Sequence, residues 1–73
     1  MTISDKIYEL RAALSMSQEQ FANLFNVSRQ SVQKWENGSS TPELSKLIEI
    51  SKYFDISLDA LLLGRDTRMI EEM

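Results

Sequence analysis

Five short helices packed as one all-α domain are what this sequence predicts. Three observations carry the prediction. First, Ser17, Ser28 and Ser57 each follow an apolar residue and stand four positions before another, the pattern of a helix start closed by a hydrophobic staple. Second, Ile3, Ile7, Leu10 and Leu14 recur at helical spacing. Third, β-branched alternation is missing throughout, so no strand is expected.

The first helix is expected near residues 4–14, on that apolar stripe. The second begins at Ser17, which with Gln20 makes a capping box, while Met16 and Phe21 form the staple. Ser28 opens the third, flanked by Val27 and Val32. Thr41 is expected to cap the fourth, with Pro42 in its first turn, where a missing N–H costs nothing. Ser57 opens the fifth between Ile56 and Leu61. Stops are expected at Gly38 and Gly64, residues suited to the left-handed position after a helix. Asn26, between the second and third helices, tolerates that conformation too. Residues 1–64 read as one domain and 65–73 as a charged tail.

With 73 residues the chain makes a single domain. A domain this small buries only about 60% of its unfolded surface. No cysteine is present, so disulfides and thiolate metal sites are excluded, in keeping with a cytoplasmic location. No apolar run approaches a membrane span. Histidine is absent as well, removing the commonest general base and metal ligand. No metal, cofactor or catalytic residue is therefore expected, and the chain does not read as an enzyme. Net charge is −3, and the deficit lies wholly in residues 42–73, with four cations against seven anions. An anion-binding surface belongs before Pro42.

The stretch "SRQSVQKWENG", residues 28–38, is where that surface is expected. Wound as a helix, Arg29, Gln33, Asn37, Gln30 and Lys34 fall within one arc of roughly 140°. Val32 and Trp35 lie opposite, on the core side, and Glu36 sits at the edge beside Arg29. Two cations and three amides match the donors and acceptors of base edges, arginine with guanine and glutamine or asparagine with adenine. Composition alone leaves a second reading open, an ordinary solvated face. Two short helices, a tight turn and a polar second helix make a helix-turn-helix.

The stretch "SQEQFANLFNVSRQSVQKWENGSSTPELSKLIEISKYFDISLDALLLG" resembles the Cro/cI-type helix-turn-helix domain of the XRE family, with a lambda-repressor-like fold. The likeness rests on the Ser-Gln opening of helix two, Ala22 in its middle and the "S-x-x-S-V" entry to helix three. "W-E-N-G", "T-P" and "S-L-D-x-L-L" complete it, and the whole covers about residues 3–64. It implies a sequence-specific transcriptional regulator of a bacterium or phage, a repressor, with helix three in the major groove of double-stranded DNA. By position, Arg29, Gln30, Gln33 and Lys34 would face bases, Lys34 being open between base and phosphate. Gln18, through its backbone N–H, and Asn37, Ser39, Ser40 and Thr41 would lie along the DNA backbone, and Ser28 and Ser31 would sit near the backbone or buttress the base readers. The loop 39–41 departs from many relatives in holding no cation. Either Arg29 or Arg11 could neutralise Glu36; the resemblance favours a structural pair of Arg11 with Glu36.

Leu61, Leu62 and Leu63 cannot all point inward from one helix, so a homodimer interface is expected there, the alternative being a leucine left at the surface. The rival function is an antitoxin or protein-interaction module, the N-terminal domain of a longer chain with its own protein partner. A complete chain would carry no sensor domain after Gly64; a fragment would leave that part unseen.

Overall fold

The computed structural model describes residues 2–63. They form five helices: α1 (Ile3–Ala13), α2 (Gln18–Leu24), α3 (Arg29–Asn37), α4 (Leu44–Phe54) and α5 (Leu58–Leu63). No strand occurs among the described residues. The all-α, five-helix architecture is the one expected.

Local chemistry sets most of the boundaries. Ser17 Oγ accepts from the Gln20 N–H at 3.1 Å, and the Gln20 side chain accepts from the Ser17 N–H at 2.8 Å, closing the capping box. Ser28 Oγ accepts from the Ser31 N–H at 3.1 Å, and Ser57 Oγ from the Ala60 N–H at 3.0 Å. A further box, between Thr2 and Asp5, starts α1 one residue before the expected place. Gly38 ends α3 at φ 82°, and Asn26 turns the chain from α2 into α3 at φ 55°. Ser15 and Asp55 take the same left-handed conformation after α1 and α4, stops that no glycine announces. The stop expected at Gly64 and the tail 65–73 lie outside the described residues.

Thr41 does not cap α4. The helix begins at Leu44 after an extended Glu43, which makes no side-chain cap hydrogen bond. The Ser39 and Ser40 N–H groups fold back onto the Lys34 carbonyl at 3.0 and 3.3 Å. From there the chain runs without regular structure to Glu43, burying the Pro42 ring on the way. Thr41 is thereby left in the loop.

Ile7, Phe21, Val32, Ile50 and Leu61 are fully buried, one from each helix, and Trp35 joins them. Each such side chain contributes about 1.5–3 kcal/mol of burial. Phe21 lies against Phe25 and Phe54, with ring centroids 4.9 and 6.1 Å away. α3 packs on both α1 and α2, and α5 returns to α1 and α4. This clamps α3 from its apolar side and leaves its opposite side free. Leu44, the first residue of α4, is exposed, because α4 turns Leu47 and Ile50 inward instead. Leu61 also needs correction. It is buried within the monomer, since its place at the fourth position of α5 turns it to the core; only Leu62 and Leu63 reach the surface, at 41% and 51% exposure.

Candidate nucleic-acid interface

α3 owes its orientation to Val32 and Trp35. Both are buried, and they anchor the helix against α1 and α2. The arc opposite them carries Arg29, Gln30, Gln33, Lys34 and Asn37, all exposed. Among the described residues, the side chains of Arg29, Gln30, Gln33 and Lys34 make no hydrogen bond and no ion pair. Their donors and acceptors are therefore free for a partner.

The residues around them are committed inside the fold. Ser28 Oγ and Ser31 Oγ lie 3.0 Å apart at the entry of α3. The Asn37 side-chain carbonyl accepts from the Ser39 N–H at 2.9 Å, which ties the helix end to the loop. Ser31, Ser40 and Thr41 line a cleft of about 260 Å³ with Val27, Trp35, Glu43 and Lys46. Lys46 carries no motif that would single it out in the sequence. It brings a cation to the side of a loop that has none, but its ammonium pairs with Glu49 at 3.0 Å and Glu43 lines the same cleft. The cleft is close to charge balance.

Glu36 is the acid that could spoil the electrostatics of this face. Arg11 Nε donates to its Oε2 at 2.6 Å and Nη2 to its Oε1 at 2.9 Å, a two-pronged pair between α1 and α3. Gln18 Nε2 donates to Oε1 at 3.1 Å from the start of α2. The Arg11 and Glu36 side chains are only 16% and 9% exposed. The remaining Arg11 nitrogen donates to the Met16 carbonyl at 2.8 Å, and the guanidinium lies 5.2 Å from the Tyr8 ring centre. The hydrogen bond with Glu36 raises the Arg11 pKa above its ordinary value, against a smaller opposing effect of burial. The side chain of Gln18 thus faces inward, and what this residue offers outward is its backbone N–H in the first turn of α2, which has no intrahelical partner. No side-chain cluster able to hold a metal ion occurs among the described residues, and none of their helices is long and apolar enough to cross a membrane.

A pair of short helices meeting through a left-handed Asn26, the second uncommitted on its outer arc, defines a helix-turn-helix. Residues 7–61 match the model of the helix-turn-helix family, and the chain belongs to that family. Among curated relatives it is 36% identical over 72 residues to the HTH-type transcriptional activator BcrR of Enterococcus faecalis, covering 99% of this chain and 35% of that protein. It is 31% identical over 61 residues to the transcriptional repressor RstR of the cryptic phage CTXphi in Vibrio cholerae serotype O1, covering 84% and 54%. The chain thus spans between a third and about half the length of these relatives. Among solved structures, the P22 c2 repressor in complex with synthetic operator 9T superposes with a TM-score of 0.81 at 26% identity, covering 89% of this chain and 98% of that one. A transcriptional regulator from Listeria innocua gives 0.80 at 28% identity, covering 84% and 57%. The lambda-repressor-like fold implied by the motifs is the fold found.

Proposed function

We propose that this chain is the DNA-binding domain of a sequence-specific transcriptional regulator, with α3 seated in the major groove. One observation carries the reading. On an otherwise tied-down helix, Arg29, Gln30, Gln33 and Lys34 alone hold free, exposed, base-matching groups, while the one acid beside them is neutralised from behind by Arg11. In this reading Arg29, Gln30 and Gln33 contact base edges, and Lys34 a base or a phosphate. Asn37, Ser39, Ser40 and Thr41 follow the backbone on one side. Gln18, through its backbone N–H, and the Ser28–Ser31 pair follow it on the other.

The relatives include an activator and a repressor, in keeping with regulation of either sign. Repression needs nothing more than occupancy of an operator, and binding is all that this face offers; we read the domain as a repressor's. The working unit is a homodimer through Leu62 and Leu63 at the end of α5, on two half-sites about one helical turn apart. Selection of bound sequences from a random DNA pool tests the reading. Enrichment of a half-site with strong preference at a few positions is the expected result. No enrichment at any salt concentration would instead favour an antitoxin or other protein-interaction module.

A further inference from the structure

Asn37 and Gly38 form the one Asn-Gly pair in the sequence, and they close the helix that carries the free polar arc. We propose that this pair is a fold-gated deamidation site, at which release of the C-terminal cap of α3 turns a neutral amide of the arc into an acid.

The chemistry needs only the chain and water. When base removes the proton of the Gly38 N–H, that nitrogen attacks Asn37 Cγ. The new N–Cγ bond closes a five-membered imide, the Cγ–Nδ2 bond breaks, and Nδ2 leaves as ammonia. Water then adds to one of the two imide carbonyls and opens the ring to aspartate or isoaspartate. The sum is amide plus water to carboxylate plus ammonium, with no change of oxidation state. Glycine is the residue that permits this approach most freely, because no Cβ stands beside the attacking nitrogen.

The fold holds both reacting groups in other work. The Gly38 N–H donates to the Lys34 carbonyl as the cap of α3. The Ser39 and Ser40 N–H groups converge on the same oxygen at 3.0 and 3.3 Å. The Asn37 side-chain carbonyl is held by the Ser39 N–H at 2.9 Å. Attack requires that Gly38 release Lys34 and that the Asn37 amide rotate off Ser39. Both changes come from releasing the exposed C-terminal cap at residues 37–39, beyond the anchored Trp35 and Glu36, the kind of terminal segment that opens far more readily than the core. Residues 37–40 are all exposed, so water and hydroxide reach the site once it opens. Among the described residues, Gly38 packs loosely: a Cβ added there would meet only Ser4 Oγ, at 3.8 Å.

The product matters because of its neighbour. Glu36 is already answered by Arg11 and Gln18, and each of the three Arg11 guanidinium nitrogens is engaged on it or on Met16. A second acid one residue further along stands three positions from the free Lys34 on the same arc, where it would pair with that cation and offset its charge. This consequence rests on the reading of that arc as the DNA-facing surface; the conversion itself does not.

The test is incubation of the intact protein, folded and in urea, over a range of pH, followed by peptide mapping for the amide-to-acid mass increase and for isoaspartate at position 37. Conversion is expected in urea, faster as pH rises, and slower by about tenfold or more in the folded protein, because there the cap must open first. Gly38→Ala should slow the reaction in urea, where its fold is irrelevant, and Asn37→Ser should abolish it. Equal rates folded and unfolded would remove the gate, and no conversion in urea would remove the site. Converted protein, separated by anion exchange, is then titrated against DNA bound by the unconverted form. Weaker binding is expected, and equal binding would overturn the electrostatic consequence. If the unconverted protein selects no DNA, it is the DNA-facing reading that fails, and the mapping decides the site on its own.

Discussion

Arg11 and Glu36 meet fork to fork, two guanidinium nitrogens on two carboxylate oxygens at 2.6 and 2.9 Å, across the interface between α1 and α3. Gln18 takes a third position on the same carboxylate at 3.1 Å, so three helices converge on one acid. The geometry does two things at once. It fixes the axis of α3 relative to the rest of the domain, and it keeps a negative charge at the edge of the polar arc from acting on that arc.

Arg11→Ala or Glu36→Ala should therefore destabilise the domain by about 3–5 kcal/mol, since each leaves a largely buried charge without its partner. Glu19→Ala, at an exposed position, should fall within about 0.5 kcal/mol of the parent. Thermal unfolding of the set, completed by the double mutant, gives the coupling energy. A coupling near zero would make Glu36 an ordinary surface acid.

Helix starts give a second, contrasting prediction. Ser17 and Thr41 look alike as capping residues, but only Ser17 is one in the structure. Ser17→Ala should lower stability by about 1 kcal/mol, whereas Thr41→Ala should leave the denaturant midpoint close to unchanged. Comparable destabilisation by both would mean that α4 starts earlier than Leu44.

How much the chain discloses of itself follows from these cases. Capping boxes and staples are local, so the starts of α2, α3 and α5 can be read from a few adjacent letters. The start of α4 cannot, because it depends on the folding of residues 39–40 back onto the Lys34 carbonyl and on burial of Pro42. The left-handed Ser15 carries no signal, serine being an unusual choice there. Helical spacing puts the free polar arc in plain view. It cannot choose between Arg29 and Arg11 as the partner of Glu36, because a helical wheel sees one helix and the pair spans two. Resemblance to a known domain supplies that choice. Leu61 reads as an interface residue for a related reason: a three-leucine run cannot be divided between core and exterior until its neighbours are placed.

Leu62 and Leu63 lead to a third prediction. Both are substantially exposed at the end of α5, and in the proposed function this apolar pair is the homodimer contact. If the proposed homodimer forms there, the parent should show a sedimentation coefficient that rises with concentration, and Leu62→Asp should abolish the rise while leaving folding intact; a strict monomer on a single half-site would contradict it. On DNA the variant should convert cooperative filling of two half-sites into independent filling. Unchanged association would place the dimer interface elsewhere.

Lys34 supplies a fourth. If its ammonium meets a phosphate, Lys34→Ala should weaken binding to all sequences alike and reduce the slope of log affinity against log salt by about one. Weakening confined to the preferred sequence, with the slope kept, would place Lys34 on a base.

The claim that the outer arc of α3 reads DNA is tested most directly by titrating the selected sequence, and variants of it changed at single positions, with the parent protein and with the Arg29/Gln30/Lys34 triple alanine variant. Removing each base-reading side chain should cost about 1–3 kcal/mol at the preferred site. The triple variant is predicted to keep its fold, bind far more weakly and treat the changed sequences like the selected one. Undiminished sequence preference in that variant would contradict the account.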